Sequence, residues 1–209
     1  MVSEPTTHAT VLPMFSPAAQ QPTKRYRTIV ADPPWRIEMG PAICGAAKRL
    51  AYPTMTQQEL LAMPIGLWAM HEAHLYLWTT NAMLPHAYEL ATGWGFKPST
   101  LITWIKRASA NDNRLGLGRY YRITTEHVLF AVRGSLDVYR NDQPNFFFAP
   151  RRGAHSEKPA AFYDMVQRMS PGPYLDVFAR KQRFGWDTWG DEAFDFRTHG
   201  IWHKEDEAL

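Results

Sequence analysis

Asp32-Pro33-Pro34-Trp35 combines groups suited to holding an amino group beside a reactive centre. An ionised aspartate accepts hydrogen bonds and donates none, and a proline offers its carbonyl with no accompanying N–H. Trp35 adds a flat apolar face on which a nucleobase can stack. Together they can accept the hydrogens of an aromatic –NH2 and turn its lone pair toward an electrophile. A plainer reading makes Asp-Pro-Pro a loop starter and Trp35 a core aromatic, because paired prolines alone mark turns. The order of these residues, directly after an apolar run, favours the site.

That run, Thr28-Ile29-Val30-Ala31, is short and rich in branched side chains, which predicts a buried strand. Proline cannot continue in a central strand, since it lacks the N–H the ladder needs. The motif is therefore expected at the carboxyl end of a strand, the edge where open α/β sheets bind ligands.

Other segments must bring partners to that edge. Residues 36–55, with Gly40, Pro41, Gly45, Pro53 and the basic pair Lys48-Arg49, read as a long loop and candidate lid. Thr56 and Glu59 form a capping-box pattern opening a short helix that Pro64 halts. Residues 73–80 read as a strand, after which Asn81 caps a helix to about Thr92, ended by Gly93. Pro85 falls in its first turn, and Leu84, Ala87, Tyr88 and Ala91 form its core-facing stripe. Further strands are expected at 99–106, at 126–132 before Gly134, and at 174–179. Ser156 is expected to cap a helix from Glu157 to Met169 with Pro159 in its first turn. Residues 107–120, with Arg107, Arg114 and Arg119, and residues 141–153, ending Arg151-Arg152-Gly153, read as basic loops. From Phe184 onward the chain reads as a tail carrying Trp186 and Trp189. Alternating strands and helices indicate an α/β fold with a mostly parallel central sheet flanked by helices. Residues 78–81, Lys106-Arg107 and Arg180-Lys181 should then end beside Asp32.

The 209-residue chain suits one domain, expected over residues 25–195, between a flexible tail at 1–24 and a C-terminal tail at 196–209. A hydrophobic content of 45% fits a globular protein, and a net charge of +3 permits nucleic-acid contact without requiring it. A single cysteine, Cys44, excludes an internal disulfide and fits a reducing cytoplasm. No apolar run is long enough to span a bilayer and no signal-peptide core is present, so a soluble cytoplasmic protein is expected.

Competing chemistries find little support. His71 and His74 are three apart where the helical zinc motif needs four, so no metal is expected and surface histidines are. Gly116-Leu117-Gly118 lacks a following helix and does not make a dinucleotide loop, and no serine-nucleophile elbow occurs. Lys158 at a helix start suits an anionic group, or is a solvated lysine. Asp176 and Arg180 can bind polar groups of a cofactor or pair structurally, and spacing leaves both open.

The chain resembles the adenine-N6 methyltransferases related to the catalytic subunit of the eukaryotic mRNA adenosine methyltransferase, in the manner of prokaryotic and phage members. The resemblance runs over about residues 26–192. It rests on Ala31-Asp32-Pro33-Pro34-Trp35, Leu77-Trp78-Thr79-Thr80-Asn81, Thr103-Trp104-Ile105-Lys106 and Glu126-His127. It continues in His155-Ser156-Glu157-Lys158-Pro159, Leu175-Asp176-Val177-Phe178-Ala179-Arg180, Gly185-Trp186-Asp187 and Trp189-Gly190-Asp191-Glu192. The family usually has Arg where this chain has Glu157, Glu for Asp176, Gly for Ala179 and Asn for Asp191.

The resemblance implies a Rossmann-like fold, the cofactor S-adenosylmethionine (SAM), and Asp32, Pro33, Pro34 and Trp35 as the catalytic group. Val30, Ala31, Asp32, Lys158, Asp176, Phe178, Arg180, Asp191 and Glu192 are the implied cofactor contacts. Trp35, Asn81, Lys106, Arg107 and Glu126, with Lys48, Arg49 and Arg119 in the loops, are the expected substrate contacts. The expected reaction is direct methyl transfer to adenine N6 in nucleic acid, DNA rather than RNA, with a flipped adenine if the substrate is duplex. The alternatives are the same chemistry on RNA, and a non-catalytic nucleic-acid-binding subunit. A homodimer or a complex with a paralogous subunit is the expected assembly.

Overall fold

The computed structural model describes residues 24–36, 54–107, 120–150, 158–179 and 181–190. Strand β1, Tyr26–Ala31, buries five of its six side chains, as an apolar run covered on both faces should. Parallel partners flank it: β2 (Ala69–Thr79) on one side and β6 (Tyr174–Val177) on the other. The last ladder bond is donated by Asp32 N–H to the Val177 carbonyl, and the prolines that follow have no N–H to extend it.

Seven strands form one sheet in the order β5-β3-β4-β2-β1-β6-β7. Within it β4 (Thr125–Arg133) alone pairs antiparallel, with β2 and with β3 (Lys97–Ile105), so the sheet is mostly parallel as expected. The chain leaves β1 toward β2 on one side and enters β7 from β6 on the other. The wind of the sheet thus reverses between β1 and β6, and a crevice opens at the carboxyl ends of such neighbours.

Helices cover both faces. On one side, α1 (Gln57–Leu61), α2 (Ile65–Trp68) and α3 (Leu84–Gly93) bury Leu60, Trp68, Leu90 and Trp94. On the other, α4 (Ala160–Met169) buries Phe162, Tyr163, Met165 and Val166 against Tyr76, Trp78 and Trp104. The capping box at Thr56 and Glu59 forms as expected, with each side chain bonded to the other residue's backbone N–H.

Several expectations fail locally. Asn81 does not cap α3: it opens a 3-10 turn, Asn81–Met83, and Met83 precedes the helix. The buried face of α3 is Ala87, Leu90 and Ala91, continuing into Trp94, whereas Tyr88 is exposed. Gly93 is still helical, and Gly95 at φ +84° makes the left-handed exit. Helix α4 starts at Ala160, so Pro159 is its N-cap and Lys158 lies just before it. The short helix α2 and strand β5 (Phe146–Phe148) were not anticipated, and the supposed tail contains edge strand β7 (Trp186–Trp189). The two terminal segments assigned as tails lie almost entirely outside the described residues.

His74 is not a surface histidine but is fully buried on β2. Its Nε2 faces the Leu136 carbonyl at 2.8 Å, which can only accept, so Nε2 carries the proton. Nδ1 therefore accepts from the Ser170 hydroxyl at 2.8 Å, and Ser170 Oγ in turn accepts from Tyr76 O–H at 2.8 Å. Burial lowers the His74 pKa, in keeping with this neutral form.

Candidate active site

Beyond β1 the backbone turns tightly. The Trp35 N–H donates to the Pro33 carbonyl at 2.8 Å, and Met55 N–H donates to the Pro34 carbonyl at 2.9 Å. Trp35 is 8% exposed, packs in the core under α1 to α3, and its indole N–H donates to the Trp78 carbonyl at 3.1 Å. That corrects the expectation of an open stacking face: Trp35 fastens the motif to the end of β2. Asp32 is left at the mouth of the crevice.

Asp32 is not isolated there. Lys158 Nζ lies 2.9 Å from Asp32 Oδ2 and 3.4 Å from Glu126 Oε2, bridging β1 and β4. Lys106, at the end of β3, donates to the other Glu126 oxygen. Charges therefore alternate along Asp32, Lys158, Glu126 and Lys106. Burial alone would lower the Lys158 pKa, but Asp32 and Glu126 outweigh it and hold the ammonium above its ordinary value. Burial likewise disfavours the Glu126 carboxylate, and the two lysines overcome it and hold Glu126 below its ordinary range. Both ends of the bridge stay charged at neutral pH.

Tryptophans back these cations. Lys158 Nζ sits 4.9 Å from the Trp78 ring centroid and Lys106 Nζ 5.3 Å from that of Trp104. The two indoles meet edge to face, 5.9 Å apart, and the Trp104 N–H is fixed by the Ala149 carbonyl at 2.8 Å. A cleft of about 310 Å³ runs between Trp104, Pro150 and Lys158 to the first turn of α4. Sequence reading treated Lys106 as a cation for the substrate and missed its pairing with Glu126. The pairing follows from the β3–β4 register, which sets Trp104 opposite Glu126 and is not visible in either segment alone.

Asp176 does not open into the crevice. It is 3% exposed and accepts a hydrogen bond from Tyr163 O–H at 2.9 Å, beneath α4. Burial pushes its pKa up to about 7, with the Tyr163 bond and Arg183 pulling the other way. The expected cofactor contact is thus a buried structural pair. Val30 and Ala31 are also fully buried and offer no side-chain surface. Phe178, at the end of β6, takes a left-handed φ of 63°, and its N–H donates to the Trp189 carbonyl. Gly190 packs so tightly here that a Cβ would lie 2.6 Å from Ala179 N. Asn81 is exposed at the carboxyl end of β2, and Arg107 is half-buried just past β3. Lys48, Arg49, Arg119, Arg180, Asp191 and Glu192 lie outside the described residues.

The arrangement is an acceptor carboxylate at a sheet switch point, with its charge balanced and its neighbours locked. The MT-A70 family model matches residues 26–192. The chain is similar to the type II methyltransferase M.MunI of Mycoplasma sp, at 29% identity covering 88% of this chain and 85% of that protein. It is also similar to the human N(6)-adenosine-methyltransferase catalytic subunit METTL3, at 26% identity over 80% of this chain. A Drosophila melanogaster N(6)-adenosine-methyltransferase MT-A70-like protein is 27% identical over 83% of it. This chain spans only 28% of the length of each of those two eukaryotic proteins.

Proposed function

The chain belongs to the MT-A70 family of adenine-N6 methyltransferases, and we propose that it methylates adenine N6 in nucleic acid with SAM as donor, DNA in preference to RNA. The observation that carries the reading is Asp32 held beside Lys158 and Glu126 at the β1/β6 crevice. The preference for DNA is supported by likeness to a type II methyltransferase, 29% identical over 88% of this chain.

The residues fit such a cofactor. Asp32 suits an ammonium group and Lys158 a carboxylate, and these are the two charges of its amino-acid end. When bound, SAM supplies an electrophilic methyl group on a sulfonium. Adenine's amino nitrogen is a poor nucleophile because its lone pair is delocalised into the ring. Asp32 accepts one of its hydrogens, and the second lone pair of the Pro33 carbonyl accepts the other, which localises the nitrogen lone pair. The Asp32 carboxylate also offsets the positive charge that develops on nitrogen. Lys158 pairs with Asp32 and Lys106 with Glu126, and Trp35, anchored to the Trp78 carbonyl, holds the motif in place. Fixed alignment supplies much of the remaining rate, and no strong base is needed because the proton can leave after transfer.

Labelled SAM and an adenine-containing oligonucleotide test the assignment. Asp32→Ala is expected to lower the methylation rate by about 10²-fold or more; an unchanged rate would sink the assignment. Lys158→Ala is expected to weaken SAM binding in calorimetry, and an unaltered Kd removes Lys158 from the cofactor site.

A further inference from the structure

Lys106 is set in place by the sheet. The β3–β4 register puts Trp104 opposite Glu126, and the Lys106 N–H extends that ladder by donating to the Thr124 carbonyl at 2.8 Å. Its ammonium lies 5.3 Å from the Trp104 ring centroid and donates to Glu126 Oε1. The side chain is 19% exposed, unlike the free surface lysine that a strand end usually carries. Among the described residues, the cations within ion-pair reach of Glu126 are Lys106 and Lys158.

Those two cations are not held alike. Lys158 Nζ is 2.9 Å from Asp32 Oδ2, the spacing of a close charge-assisted hydrogen bond, but 3.4 Å from Glu126 Oε2. Glu126 gives its close contact to Lys106 instead. Along this row two carboxylates and two ammoniums balance. Removing the Lys106 charge leaves an excess negative charge on a carboxylate that is only 23% exposed. Lys158 is then the cation at hand, and attraction between charges strengthens where water is partly excluded. Glu126 would draw Lys158 toward β4 and away from Asp32.

We propose that Lys106 is a positioning residue: by occupying Glu126 it leaves Lys158 to Asp32 and to the amino-acid end of the cofactor. The proposal rests on the methyl-transfer reading and adds to it a residue that touches neither reactant. It differs from a phosphate contact, the other role open to a lysine at a strand end, because this ammonium is already engaged within the site.

Steady-state methylation of an adenine-containing oligonucleotide, with SAM binding followed by calorimetry, separates these roles. Lys106→Met is expected to lower kcat and weaken SAM binding, each about 10-fold, with the oligonucleotide KM little changed. Lys106→Arg is expected to restore both. Lys106→Gln, which keeps a donor for Glu126 and removes the charge, is expected to behave as Lys106→Met. In a Glu126→Gln background residue 126 carries no charge to draw Lys158, so Lys106→Met is expected to weaken SAM binding less than about 2-fold further. An equal loss in both backgrounds overturns the proposal, and so does full activity in Lys106→Gln. A raised oligonucleotide KM with kcat intact also overturns it and marks a phosphate contact. If Lys106→Met leaves kcat and SAM affinity unchanged while Asp32→Ala abolishes methylation, the positioning role fails and methyl transfer stands. Coupling of Lys106 to Glu126 in SAM affinity, in a protein that methylates no nucleic acid, supports the positioning role and overturns the methyl-transfer reading.

Discussion

Lys158 is largely and Asp176 almost wholly shielded from solvent near the same strand ends, yet their surroundings treat their charges oppositely. Lys158 has Asp32 and Glu126 within ion-pair reach, and their pull exceeds the cost of burial. For Asp176 the Tyr163 hydrogen bond and the Arg183 charge do not offset burial, and its pKa rises to about 7. An aspartate whose folded pKa lies above its unfolded value binds more protons when folded, so its contribution to stability falls as pH rises from the ordinary carboxylate range toward 7. Asp176→Asn keeps an acceptor for Tyr163 and removes that loss. The variant is expected to melt higher than wild type at pH 8, by a margin that vanishes near pH 4. Thermal denaturation at the two pH values checks it, and a margin independent of pH contradicts the buried-proton account. Spacing alone had left Asp176 open between cofactor and structural roles, because burial is a property of what packs on a residue. Trp35 is the same case, since the sequence shows an indole but not that its N–H is spent on the end of β2.

At the scale of elements, what was legible depended on length and on local signals. Strand β1, the capping box of α1 and the turn at Gly134 each announce themselves within a few residues, by branched side chains, by Thr56 and Glu59, and by glycine. Helix α2 has four residues and strand β5 three, too few to show a period, so each is held by its neighbours instead. Strand β7 reads as a tail because Trp186 and Trp189 stand three apart, without the period-two alternation of a strand, and the edge of β6 gives it a partner. Asn81 fails as a cap because a 3-10 turn separates it from α3, a difference of a few residues that propensity does not resolve. For α2 the decisive neighbour is the exit of α3. A Cβ on Gly66 would lie 2.6 Å from the Trp94 carbonyl oxygen, a backbone atom that cannot swing aside. Gly66→Ala is therefore expected to cost about 1–3 kcal/mol despite alanine's better helix propensity. Thermal melting should show a drop of several degrees, and an unchanged or raised midpoint removes the close approach as a constraint.

Across the whole molecule, the Asp32 motif directly follows the first strand of the sheet, while its partners arrive from far along the chain. Glu126 comes from β4, Lys158 from the lead-in to α4, and the second wall of the crevice from β6. This was legible only through the ordered motifs taken together, since no single segment shows which strands are neighbours. The register of β1 with β6 joins Thr28 to Tyr174 and Ala31 to Val177. Contacts so distant in sequence form late and slow a fold that depends on them. During synthesis, which proceeds from the amino end, β1 therefore waits with one edge unmet until β6 has left the ribosome. Asp32 waits equally long for Lys158. The nascent chain thus presents Asp32 well before the lysine that pairs with it, and a product that stops before α4 lacks Lys158 and keeps an open strand edge that invites aggregation.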